Sequence, residues 1–339
     1  MTRFRALLAA EPDGTPARLV GRAEDELGDG DVTVEVAWAS LNYKDALAVT
    51  GRSPVVRRFP LVAGIDLAGR VVESPPGGPA VGSYVVVTGC GLGEDHDGGF
   101  AERARVQAGW CVPLASAEEA RWAITVGMAG FTAMLCVLGL ERLGALDGHE
   151  PPVLVTGAAG GVGSFAVALL AARGAHVVAG TGRPEEAAYL RRLGADEVVA
   201  RADLLAVPDR PLGRERFAAA VDVAGGPLLA RVLTAVRAGG AVAACGLAGG
   251  SDLHTTVYPF ILRGVTLMGI NAVWPDPTVR AAAWARLRAE LPAGLVGGVA
   301  EEIDLADVID RAPQVLDGRV RGRLVVRVAP AGTQRPDRS

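Results

Sequence analysis

The residues with the clearest chemical potential lie in VTGAAGGVGS, residues 155–164, where four glycines and three other small residues follow a β-branched run. Such a stretch can cradle a phosphate. Glycine lets backbone approach a pyrophosphate, and a helix starting there supplies N–H donors and the positive end of its dipole. The same glycines can also serve only to turn the chain tightly. The spacing departs from G-x-G-x-x-G, because Ala158 takes the first glycine place and is followed by Gly160 and Gly163. About 20 residues beyond such glycines an acid usually holds the ribose hydroxyls of NAD. Here the chain reads AGTGRPEE, with Thr181 in the acid's place and Arg183 two residues on. A missing carboxylate removes repulsion against a 2′-phosphate, and a guanidinium can chelate one, so the pattern favours NADPH. The alternative for Arg183 is a solvated loop arginine.

The elements around this turn are the ones it needs. From Pro152 strands and helices alternate: PVLVTG, then VGSFAVALLAARG, HVVAG, PEEAAYLRRLG and EVVA, with Pro184 in a first helical turn and Gly194 at a left-handed stop. FAAAVDVAG, PLLARVLTAVRAGG, AVAACGLAGG and VTLMGIN continue the pattern. Alternation of this kind builds a doubly wound parallel sheet with helices on both faces, an α/β fold. Before about residue 115 the chain is different: β-branched runs such as DVTVEVAWAS and SYVVVTG are separated by Pro/Gly clusters, as in a β-rich, loop-rich unit. MTRFRALLAA reads as its first strand, and Ser116 with Glu119 forms a capping box opening a helix that runs through Leu143. After Asn271 a helix, TVRAAAWARLRAEL, precedes a closing strand, GRLVVRV. The expected organisation is 1–123 for the first part of the β-rich domain, 124–270 for the dinucleotide-binding domain, 271–330 for a return to the first, and an unstructured tail over 331–339.

With 339 residues, 50% hydrophobic content and 45 glycines, the chain can bury two ordinary cores. A net charge of −4 offers no reason to expect nucleic acid or an anionic membrane as partner. Cys90, Cys111, Cys136 and Cys245 lack metal-knuckle spacing and read as reduced thiols of a cytoplasmic protein. No window approaches the roughly 18 uninterrupted apolar residues of a membrane span.

Taken together, SLNYKDALAVTG (40–51), PLVAGIDLAGRVVES (60–74), GGFAERARV (98–106), VTGAAGGVGS, TGRPEEAAYLRRLGA (181–195), ACGLAGG (244–250) and GRVRGRLVV (318–326) resemble one family. It is the zinc-free branch of the medium-chain dehydrogenase/reductase superfamily formed by YhdH-type acrylyl-CoA reductases and quinone oxidoreductases. The resemblance runs from about residue 3 to 328. It implies a GroES-like β-rich catalytic domain joined to a Rossmann NADPH-binding domain, a homodimer paired through the sheet edge near VTLMGIN, and a small-molecule substrate. That substrate would be a short enoyl-CoA, reduced by hydride transfer to its β-carbon, or alternatively a quinone. A cofactor-binding protein without turnover is the third possibility.

The resemblance also implies roles. Tyr43 lies against the cofactor, as do Gly160, Gly161, Val162 and Gly163 of the turn and Thr181, Gly182 and Arg183. Arg201 is a second arginine near the adenosine phosphate. Leu247, Ile261, Gly269 and Arg319 line the nicotinamide side or close the cleft. Asn42 and Asp45, with Tyr43, belong to the segment facing the substrate. The plainer readings are a core aromatic for Tyr43, a helix cap for Asp45, and solvated loop positions for Lys44, Arg57, Arg58 and His96. Zinc members hold a metal with cysteine and G-H-E; here AGIDLAG puts Ile65 and Asp66 in the histidine and glutamate places, so no metal is expected. Mitochondrial-type enoyl-thioester reductases carry a tyrosine shortly after N-x-x-D, where this chain has Ser53. The proton donor is therefore open between Tyr43, water near Asp45 and solvent.

Overall fold

The computed structural model describes residues 3–9, 11–148, 150–206, 210–291 and 293–328; the tail over 331–339, expected to be unstructured, lies outside them. The chain opens with strands β1 (Arg3–Ala9), β2 (Arg18–Ala23) and β3 (Val32–Leu41), helix α1 (Tyr43–Thr50), and strands β4 (Leu61–Val62), β5 (Asp66–Glu73), β6 (Tyr84–Thr88), β7 (Arg103–Val106) and β8 (Val112–Leu114). Helix α2 (Ala117–Arg142) follows, its start capped by Ser116, whose hydroxyl accepts from the Glu119 N–H at 3.2 Å. Next come β9 (Val153–Thr156), α3 (Gly161–Ala172), β10 (Val177–Thr181), α4 (Ala187–Arg192), β11 (Glu197–Ala200), α5 (Arg201–Leu205), β12 (Phe217–Asp222), α6 (Gly226–Ala235), β13 (Val236–Ala244), α7 (Tyr258–Arg263), β14 (Thr266–Gly269), α8 (Pro277–Glu290) and α9 (Ala293–Val299). The last elements are β15 (Ala300–Asp304), α10 (Val308–Leu316) and β16 (Arg323–Arg327).

Two compact units result, one running to Met128 and resuming at Ala300, the other Ala129–Val299. In the first, β15-β16-β3-β5-β6-β8 form a sheet with β7 also on β3, beside a smaller sheet β2-β1-β4. Its core packs Val34, Leu41, Val71, Val85 and Phe100 with Leu324 and Val326 of the returning strand. In the second, β11-β10-β9-β12-β13-β14 are all parallel, and the order reverses direction between β9 and β12. That switch point is where such sheets take ligands.

Three expectations need correction. The return to the first unit begins at Ala300, not at 271. Helix α8 belongs to the second unit, where Trp284 stacks on Phe131 with ring centroids 6.0 Å apart and Arg280 lies over the same ring. The second correction concerns α2, which among the described residues is long and apolar enough to cross a membrane, with mean hydropathy 2.0 in its most apolar window, 89% of it buried. Counting only uninterrupted apolar residues missed it, because its glycines and threonines break the run while lowering the mean little. Finally, His96 and Lys44 are not solvated loop positions. The His96 ring is buried against Trp110, and Lys44 Nζ lies 2.6 Å from the buried Glu94 carboxylate.

Candidate active site

In the second unit, β9 delivers the chain to Gly157, whose φ of +59° is left-handed and suits glycine. The turn ends at Gly160, which opens α3 without a side-chain cap. A Cβ on Gly163 would fall 2.3 Å from the Gly157 carbonyl oxygen, so this glycine serves close packing of helix on turn. Gly160 is different: a Cβ there would make only ordinary contact at 3.4 Å. The turn therefore both packs tightly and leaves an open lip. The N–H groups of Gly161, Val162 and Gly163 take no acceptor among the described residues, as expected of a first helical turn that can receive an anion. Ser164 steadies it by donating to the Gly160 carbonyl at 2.7 Å and accepting from the Tyr189 hydroxyl at 2.8 Å.

Strand β10 ends beside this lip. The Thr181 hydroxyl, buried, accepts from the Arg183 N–H at 3.0 Å, and the Arg183 guanidinium donates to the Ala159 carbonyl of the glycine turn at 2.9 Å. Arg201, at the start of α5, lays its guanidinium against Gly182: a Cβ there would sit 3.2 Å from its Cζ. Arg183 and Arg201 thus flank the position after β10, and Arg201 has no ion-pair partner among the described residues. Asp222, which the sequence reading missed, is buried at the end of β12, where it accepts from Thr156 Oγ1 and from the Gly225 N–H, both at 2.7 Å. It ties the ends of β9 and β12 together at the switch point. Burial raises its pKa, opposed by those hydrogen bonds. An Asp between an apolar run and a Gly pair was the available signal.

The remaining second-unit candidates are more scattered. Gly269 pairs with Ala244 at the same end of the sheet. Leu247 lies in the exposed loop after β13, and Ile261 is 68% exposed on α7. The pronounced cavity in this unit, about 530 Å³ and lined by Leu204, Arg214, Phe217 and Val232 among others, opens at the start of β12, the opposite strand end from the glycine turn. It is not the nucleotide crevice.

In the first unit, Asn42, Tyr43 and Asp45 begin α1, where β3 ends. Asp45 caps the helix by accepting from the Asn42 N–H at 2.9 Å, and its other oxygen accepts from the Ile65 N–H at 2.8 Å. Of the two readings for Asp45, the cap is the one seen. Asn42 and Asp45 were expected to face the substrate, but both are buried, at 9% and 1% exposure, with their polar atoms engaged. The Asn42 amide lies within donating distance of Asp45 at 2.9 Å, of Ser40 and of Asp66, and its oxygen accepts from Arg323 at 2.7 Å. Burial, with the Asp66 charge nearby, pushes the Asp45 carboxyl up to about 7, against the N–H donors that favour its anion. Tyr43 is the exception. It is half-buried, and its hydroxyl has no partner among the described residues. Arg319 lies in this unit too, on the surface, paired with Asp317 at 2.7 Å.

Ser40, Asp66 and Arg323 complete the cluster behind Asn42. Sequence reading gave Arg323 no role, since one arginine opening an apolar strand does not reveal which carboxylate it meets. The donor set does not suit a zinc ion. Asp66 accepts from the Ser40 N–H, the Ser40 hydroxyl and the Met128 N–H and faces the Arg323 guanidinium at 3.8 Å, while no group of three or more His, Cys, Asp or Glu side chains that could hold a metal occurs among the described residues.

Residues 161–286 match the zinc-binding dehydrogenase family, and residues 28–116 match the alcohol dehydrogenase GroES-like domain. The chain is 47% identical over 328 residues to the acrylyl-CoA reductase AcuI of Ruegeria pomeroyi, covering 96% of this chain and 99% of that protein. Its fold matches the crystal structure of Escherichia coli K-12 YhdH with bound NADPH at a TM-score of 0.91 and 46% identity, over 96% of this chain and 100% of that one. It also matches Bacillus subtilis YhfP with NAD bound, at 0.90 and 40% identity over 96% and 100%.

Proposed function

Because the chain belongs to the AcuI and YhdH family of the medium-chain dehydrogenase/reductase superfamily, we propose that it is an NADPH-dependent reductase of the C=C bond of a short α,β-unsaturated thioester such as acrylyl-CoA. The observation that carries this reading is the match to AcuI along nearly the whole of both chains.

The cofactor choice rests on residues of this chain, since one similar structure holds NADPH and another NAD. Thr181 replaces an acid that would repel a 2′-phosphate, and two guanidiniums flank Gly182. The open lip at Gly160 and the first N–H groups of α3, which have no acceptor among the described residues, suit the pyrophosphate. The bound nicotinamide supplies the hydride. What the protein must add is stabilisation of negative charge on the thioester oxygen and delivery of a proton, and preorganised hydrogen-bond donors do the former. The Tyr43 hydroxyl is the available donor of the α1 turn; Asn42 and Asp45, with their polar atoms spent internally, hold that turn. Activity needs no metal.

Further parts of the reading are a homodimer formed through β14, which closes one edge of the parallel sheet, and residence in the cytoplasm. The apolar side chains Val257, Leu262 and Trp274, exposed in segments flanking that edge strand, support the dimer.

A substrate panel tests the function. NADPH oxidation with acrylyl-CoA should exceed that with a simple quinone by a wide margin. Turnover of the quinone alone would replace the thioester reading, and turnover of neither would leave a cofactor-binding protein.

A further inference from the structure

Arg323 opens β16, which pairs antiparallel with the end of β3 so that Leu324 faces Leu41. This register sets the Arg323 side chain beside Ser40 and Asn42, where it is buried, 3% exposed. Its guanidinium donates in three directions: Nη1 to Asn42 Oδ1 at 2.7 Å, Nη2 to the Ser40 hydroxyl, and Nε to the Thr125 carbonyl at 3.3 Å. The last contact reaches helix α2 at an unusual place. Gly127 adopts φ 50° and ψ −155°, breaking the helix. The carbonyl of Thr125 goes to Arg323, and the N–H of Met128 goes to Asp66 at 3.1 Å. A Cβ on Gly127 would fall 2.5 Å from Arg323 Nη2 and 2.9 Å from Asp66 Oδ2. The break and the ion pair are thus fitted to one another.

We propose that Arg323 is a positioning residue for the reductase: one guanidinium joins the break in α2 to Asn42, and so sets where the next residue, Tyr43, presents its hydroxyl. Asn42 is the link. It ends the extended chain and precedes the first turn of α1, and its amide is held from one side by Arg323 and from the other by Asp45. A planar fork with several donors can satisfy Asn42, Ser40 and Thr125 together, whereas the point charge of a lysine cannot. The fully buried Asp66 balances the charge and anchors Ser40 through both its N–H and its hydroxyl.

The kinetic arm of the test rests on the reductase reading; the structural arm does not. Arg323→Lys keeps a cation beside Asp66 and should fold. It should lower kcat for acrylyl-CoA about ten- to a hundredfold, change KM less than threefold, and leave NADPH affinity within twofold, because the glycine turn and its arginines are untouched. Arg323→Lys with kcat within twofold of wild type overturns the proposal, as does a loss of kcat that simply tracks the unfolded fraction in a thermal melt. Ser40→Ala, which deletes one hydroxyl, covers the case in which Arg323→Lys does not fold: at unchanged melting temperature kcat should fall at least threefold, and no fall overturns the proposal. Amide hydrogen exchange read by mass spectrometry supplies the arm independent of activity. In whichever variant folds, exchange should rise over residues 40–50 and 124–128 and stay at the wild-type level over 153–181. Unchanged exchange in the first two segments rejects the positioning role even if the wild type turns over no thioester, and raised exchange in a protein without thioester turnover removes only the proposed reaction.

Discussion

Arg183, Tyr43 and Asp45 do different physical work, and single substitutions separate it. The Arg183 guanidinium donates to the glycine turn at Ala159, and NADPH bound as proposed sets its 2′-phosphate beside it. Replacing it by alanine should weaken NADPH by about 1.5 to 3 kcal/mol, the range of a charge-assisted hydrogen bond, and barely affect NADH. Fluorescence titration with both cofactors checks this, and equal losses would reduce Arg183 to a loop support. Tyr43→Phe removes a hydroxyl without a partner among the described residues. Because water can also quench an enolate, turnover should slow by less than about 10²-fold, the low end for loss of a general acid. Stopped-flow traces of NADPH oxidation would show it. Asp45 makes a prediction about stability. Its folded carboxyl is raised to about 7, above the roughly 3.9 of an unfolded chain, so the folded state binds the proton more tightly. The sign follows: stability conferred by this group is present below about pH 4 and is lost as pH rises toward 7, by at most about 1.4 kcal/mol per unit. Asp45→Asn carries no such titration. The stability difference between wild type and variant should therefore shift toward the variant between pH 5 and 7.5 in urea unfolding, and a pH-independent difference would contradict the raised value.

Helix α2 shows how an element can carry a local defect for the sake of its neighbours. Its Gly127 lies in the left-handed half of conformational space, and a side chain there would meet Arg323 and Asp66. Gly127→Ala combines backbone strain with steric intrusion into a buried ion pair. It should lower stability by about 1 to 3 kcal/mol, seen as an earlier thermal transition, although alanine is the better helix former. A gain in stability would mean that the break is not held by the cluster. The glycine turn was legible at this scale because strand, glycines and helix lie within one short window. The break in α2 was not, because IleThrValGlyMetAla reads as ordinary apolar helix until the partners of Thr125 and Met128 are known.

Across the whole molecule, the exposed edge strand β14 and the apolar side chains near it call for a cover, since an unpaired edge is a template for association. A charge placed there, Leu262→Glu, should convert a dimer into monomers in light scattering while thioester turnover per chain survives at least in part; a wild-type monomer at micromolar concentration would reject the dimer. Dialysis against a chelator should leave turnover unchanged, because the carboxylate at the zinc-motif position is occupied by Arg323 and Ser40. Stoichiometric zinc whose removal abolishes turnover would overturn that expectation.

Sequence alone determined the two kinds of unit, the order of nearly all strands and helices in the parallel sheet, the glycine turn and the Thr181 and Arg183 pair beside it. Each is written in residues close along the chain, where period and turn chemistry act. Tertiary structure alone decided that α8 stays with the second unit, because an apolar helical face does not specify which sheet buries it; the Trp284 and Phe131 stack, with Arg280 over the same ring and Arg286 paired to Glu141, does so. It also decided that Asn42 and Asp45 turn inward while the Tyr43 hydroxyl has no partner among the described residues. There Arg323, from the far end of the sequence, donates to Ser40 and Asn42 and faces the buried Asp66, and a buried charge needs an opposite one beside it.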